Sequence, residues 1–140
     1  MSIRDEKYDL SVKMLSIGVH AQSLVDVILE NTNNNFTKRN AEIDKWSEWL
    51  DDIMFYEIGE TPIVKKIDNP FNDLASRKYF VGTLERETLN SESLHELIKL
   101  KSDIVSLKNP NSVDEKRKSR IVDFYSNLAK RSLDASKMYG

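Results

Sequence analysis

The chain contains no cysteine, which excludes disulfides, thiolate metal sites and a cysteine nucleophile. Glycine occurs four times and proline three, too few to build the Gly-rich loops that wrap nucleotide phosphates, and no serine stands between glycines as a nucleophile elbow requires. Histidine occurs at two positions, His20 and His95, which leaves no material for a clustered imidazole site. No uninterrupted apolar run approaches the roughly 20 residues of a membrane span, and the opening "MSIRDEKYDL" carries acids where a secretory leader carries a basic and then an apolar stretch. These absences lead us to expect a protein of the cytoplasm or of a host-cell interior, with no cofactor, no metal and no small-molecule ligand.

The composition, 39% hydrophobic and 31% charged, is that of a globular chain, since a disordered one has fewer aliphatics and more uncompensated charge. At 140 residues it forms one domain around one core, 1–140. Charge is distributed unevenly: residues 1–69 hold eight Lys/Arg against thirteen Asp/Glu, and residues 70–140 hold thirteen against ten. An electrostatic partner therefore meets two different halves.

Hydrophobic periodicity predicts an all-α, compact bundle of four or five helices. Leu10, Met14, Ile17, Ala21, Leu24 and Ile28 recur every three or four residues and predict a helix over 4–31. Tyr8, Val12, Leu15 and Val19 form a second apolar stripe on its other side, so this helix is either the centre of the bundle or part of an oligomer interface. Gly18 is either tolerated in mid-helix or the seat of a closely approaching neighbour. After the polar "NTNNNF" of 31–36, Thr37 is positioned to cap a helix over 38–57 with Ile43, Trp46, Leu50 and Ile53 on its buried edge. The stretch 60–90 reads as a loop followed by a helix over 73–88, with a small β-hairpin within 63–84 as the alternative. A helix from Asn90 or Ser91 to 108 carries two apolar lines, Leu97, Leu100, Ile104, Leu107 and Leu94, Ile98, Val105. Ser112 and Glu115 in "SVDE" form a capping box for a last helix to about 138, whose buried line is Ile121, Phe124, Leu128, Ala135 and Met138.

Three features are candidate sites. The second stripe of the first helix, Tyr8, Val12, Leu15 and Val19, suits a protein contact. The second helix gathers Asp44, Glu48, Asp51 and Asp52 on one face with Phe55 below and Trp49 and Tyr56 on a flank, which is either a solvated face or a dock for a basic partner. Lys116, Arg117, Lys118 and Arg120 form a positive end that suits phosphate, although further along the same face Asp123 and Asp134 interrupt the charge that a nucleic-acid track sustains over many phosphates. Glu92 and His95 have the Glu-x-x-His spacing that di-iron bundles use twice, but here it occurs once, and "EWLD" and "EIGE" have the acid spacing of a weak Mg²⁺ site.

The expectation is thus a non-catalytic binding, regulatory or assembly protein that self-associates as a homodimer. A nucleic-acid-associated accessory subunit using the basic start of the last helix is the alternative, and a helical enzyme is third.

Overall fold

The computed structural model describes residues 3–30, 36–57, 69–71, 74–88, 92–108 and 114–139. They form five helices: α1 (Ile3–Leu29), α2 (Phe36–Glu57), α3 (Leu74–Thr88), α4 (Ser93–Ser106) and α5 (Glu115–Tyr139). No strand occurs among the described residues. The segment from 74 onward, where a hairpin was the alternative, is helical, and 63–68 lie outside the described residues.

The fold is built on α1, whose predicted inner stripe is buried from Met14 through Ile17, Ala21 and Leu24 to Ile28. α5 runs antiparallel along it: Ser11 Oγ donates to the Ser136 carbonyl (2.8 Å), and further along α1 the Gly18 backbone meets Leu133. A Cβ on Gly18 would stand 2.8 Å from Leu133 Cγ and 3.2 Å from the Leu133 nitrogen. Glycine therefore stands here because only a bare Cα admits the neighbouring chain so closely.

The opposite side of the core is aromatic. Trp46 is fully buried, with ring centroids 4.8 Å from Tyr125 and 4.9 Å from Trp49, both edge-on. Its indole N–H donates to the His20 carbonyl of α1 (3.1 Å), which satisfies the one polar atom that burial of a tryptophan exposes to cost. Phe71 and Phe80 extend the cluster. Phe71 enters it from the short turn Asn69–Pro70–Phe71: the Asn69 side chain accepts from the Phe71 N–H (2.8 Å), and Arg77 donates to the Phe71 carbonyl (3.1 Å).

Several boundaries differ from the sequence expectation. α2 begins at Phe36, so Thr37 lies inside the first turn and does not cap it. α5 begins at Glu115 with Asp114 as its cap, its carboxylate accepting the N–H groups of Lys116 (2.9 Å) and Arg117 (3.4 Å). An Asp one residue before a helix reaches those two donors directly, and Ser112 lies outside the described residues. On α5, Met138 is 85% exposed, while Tyr125, Ala129 and Ser132 are buried. At 3.6 residues per turn Met138 stands roughly 100° round the helix from Ile121, off the face that Ile121, Tyr125, Leu128 and Ser132 share.

One further correction concerns α1 itself. By length and composition alone its segment Ser11–Leu29 suffices to cross a membrane, although Lys13 and Asp26 interrupt the run. The two apolar stripes together raise its average apolarity, and the bundle buries one of them, as a core helix requires.

Candidate functional site

α1 presents a regular line to solvent. Positions 12, 15, 19, 22, 26 and 29 are all exposed, and their spacing of 3, 4, 3, 4 and 3 is that of a heptad seam. Val12 is 47% exposed, Leu15 and Val19 48% each, and Leu29 57%, large values for aliphatic side chains. Between them Gln22 donates to Asp26 (2.9 Å), closing a polar pair on the same line. The sequence left open whether the second stripe belongs to the bundle centre; among the described residues nothing covers Val12, Leu15 or Val19 fully, so this helix lies on the bundle surface. Tyr8 falls on the same line one turn earlier, within the helix but with its side chain outside the described residues.

A groove of about 560 Å³ runs beside this line, lined by Lys13, Ser16, His20, Lys45, Trp49 and Pro70. The Lys45 ammonium donates to His20 Nδ1 (3.0 Å) and pairs with Glu42 (2.9 Å). An ammonium has no acceptor, so the neutral imidazole carries its proton on Nε2. Burial, then the facing Lys45 charge, lower the His20 pKa, and Glu42 opposes them. The Lys45 ammonium also lies 5.5 Å over the Trp49 ring.

The acidic face of α2 is engaged by its own chain. Lys101 of α4 pairs with Asp51 (2.6 Å), and Lys108 pairs with Asp44. Asp52 accepts from Asn69 (2.6 Å); burial raises its pKa, the Asn69 hydrogen bond lowers it, and neighbouring Asp51 raises it. Glu48 is half-buried and has an interaction of its own. The acids that the sequence offered as a dock for a basic partner thus lie beside the lateral contact between α2 and α4, where Asp51 and Asp44 have partners within the chain. Trp49 is corrected as well: at 4% exposure it faces the core, edge-on to Trp46 and His20, because a position three beyond Trp46 shares its side of the helix. Phe55 remains exposed, at 41%. The Tyr56 side chain lies outside the described residues.

A second apolar surface, which sequence periodicity gave as a line on α4 without naming it a site, is exposed. On α4, Leu97, Leu100, Ile104 and Leu107 are buried, whereas Leu94, Ile98 and Val105 are exposed. The width of the apolar face, half the helix, was the available signal that one line exceeds what a single core covers.

The basic start of α5 is also partly compensated. Arg117 reaches Asp103 of α4 (3.2 Å), and Arg120 shares a cleft of about 230 Å³ with Glu96, Asp103 and Asp123 above Leu84 and Phe124. Lys116 is exposed and Lys118 half-buried. Glu92 precedes α4 as its cap residue and His95 sits on the exposed side, so the pair does not share one helical face. Among the described residues no three potential metal ligands come together. The Tyr125 hydroxyl is fully buried without a hydrogen-bond acceptor among the described residues, and burial pushes its pKa up; enclosed in the core, it has no access to a substrate.

Against known proteins, the chain matches no family model, no curated protein and no solved structure.

Proposed function

We propose that this chain is a non-catalytic assembly protein that binds protein partners, itself first, through the outward line of α1. The observation that supports this reading is the exposure of Val12, Leu15 and Val19, each near one half, on a helix whose other side is packed to completion. An apolar line of this kind on a compact bundle marks an interaction site or an aggregation liability, and symmetric pairs are the commonest oligomers. The acids and bases elsewhere support it by default: those of α2 pair with α4, and Arg117 pairs with Asp103, which spends their charge inside the chain.

Light scattering over a micromolar concentration series tests it. The wild type is expected as a dimer, and Val12→Lys with Val19→Lys as a folded monomer with an unchanged helical circular dichroism spectrum. A wild type that stays monomeric at high micromolar concentration overturns the reading.

A further inference from the structure

The exposed line of α1 carries information about how a second copy would lie on it. Its heptad spacing fits another helix, since two helices that cross at a shallow angle meet every 3.5 residues. A bilayer would meet Gln22 and Asp26 on the same line as the aliphatic residues, and their polar pair has no place in hydrocarbon. A helix partner leaves them outside its apolar stretch by choice of register.

The apolar part is also symmetric about its own midpoint. Positions 8, 12, 15 and 19 are spaced 4, 3 and 4, a pattern that reads the same in both directions. Turned end for end, the line opposes itself: Val12 meets Leu15 of a second copy, Leu15 meets Val12, and positions 8 and 19 form the two outer layers. Each layer then joins the two heptad positions that antiparallel helices pair. The parallel arrangement brings like to like instead and places Asp26 against Asp26 of the other copy, two carboxylates of one sign in a closing interface. In the antiparallel register Asp26 lies beyond the apolar layers. One flank of the line, at Ser11 and Gly18, is already covered by α5; on the other flank the side chains are small, Ser16 and Ser23, so a second helix meets no bulk there.

We propose, resting on the self-assembly reading above, that the occupant of this face is a second copy of the chain, packed antiparallel through α1 with the two-fold axis between positions 13 and 14. The interface is isologous, and its central layers are the two Val12–Leu15 contacts.

The absence of cysteine makes the test direct. Val12→Cys and Leu15→Cys variants, differently tagged, are mixed and oxidised mildly, and a disulfide-linked heterodimer is expected. Val19→Cys alone should give no linked dimer, because its two copies would stand about 16 Å apart along the helix axis at 1.5 Å per residue, beyond the roughly 7 Å that a disulfide spans between Cα atoms. Efficient linking of Val19→Cys to itself overturns the antiparallel register in favour of a parallel one. A dimer by light scattering in which neither experiment links shows that the contact lies off this line, and overturns the inference while self-assembly stands. A monomeric wild type overturns the self-assembly reading itself. Circular dichroism of each variant identifies any that fails to fold, and Tyr8→Cys mixed with Val19→Cys then serves as a second pair: position 8 of one copy stands level with position 19 of the other on the same line in the antiparallel register, and a failure of that mixture to link overturns it.

Discussion

Between α1 and α5 the closest approach is made at small residues, and between α2 and α4 the rim of the contact is made by ions. Gly18 admits the Leu133 backbone and side chain to van der Waals limits, and Ser11 spends its hydroxyl on the Ser136 carbonyl. Along α2 and α4, by contrast, Lys101 and Lys108 reach across to Asp51 and Asp44, and the aliphatic residues Ile98 and Val105 stay exposed beside them. Depth separates the two. A deep contact is set by shape, because interiors are packed as tightly as organic crystals and a single methyl group is felt. A contact at the rim is set by charge, which in water gives orientation and only a small stability. The difference teaches where each contact is fragile: the first to volume, the second scarcely to any single change.

The largest effect should come from breaking the first contact by size. Gly18→Val is expected to destabilise the fold by about 1–3 kcal/mol, an overpacking cost that exceeds the gain of about 0.3–0.5 kcal/mol from replacing a helical glycine by a β-branched residue. Urea denaturation measures it. Adding Leu133→Ala should recover part of the loss, and full stability of the single variant would mean that the two helices are not in close contact there.

An intermediate effect is expected from pH, at the α1–α2 contact that lies between the other two. His20 has its folded pKa lowered, by burial first and by Lys45 second, so the unfolded chain takes up its proton before the folded one. Stability should therefore fall as pH drops from the ordinary imidazole range toward the lowered folded value, and level off below it. The groups facing the ring are Lys45, Glu42 and, edge-on, Trp49. Thermal melts between pH 7.5 and 5.5 should show this slope, and His20→Gln should flatten it. Asp52, with its pKa raised mainly by burial, has the opposite sign: it loses stability as pH rises through the carboxylate range, which lies below that interval.

The smallest effect is expected at the rim. Asp51→Ala should cost less than about 1 kcal/mol, since both partners of the Lys101 pair remain more than a third exposed and such pairs are screened by water and salt. A denaturation midpoint that moves further, and does so less at high salt, would show that the α2–α4 contact is deeper than its exposure indicates.

Much of this architecture is legible from local spacing. Met14, Ile17, Ala21, Leu24 and Ile28 are buried in the structure as their periodicity requires, and so are Ile43, Trp46, Leu50 and Ile53 and the line from Leu97 to Leu107. The role of Gly18 was one of two readings, and the approach of Leu133 selects it. The candidate surfaces were legible only in part. Val12, Leu15 and Val19 were recognisable as a second stripe, and their exposure follows from the bundle leaving α1 at its surface. Trp49, read as a flank of the acidic face, is buried, and Asp51 and Asp44 have partners that no local pattern names, fifty and more residues further along the chain.

The amino-acid sequence by itself determined the helices and most of their inner faces, because helical periodicity and composition act over a few residues at a time. Tertiary structure alone decided which of two apolar stripes on α1 and on α4 is covered, which acids are spent on α4, and that Phe71 turns into the core from a short turn held by Asn69 and Arg77. Those outcomes depend on which helices become neighbours. That choice is a competition among distant surfaces for one core, and a stripe that loses it looks, residue by residue, the same as one that wins.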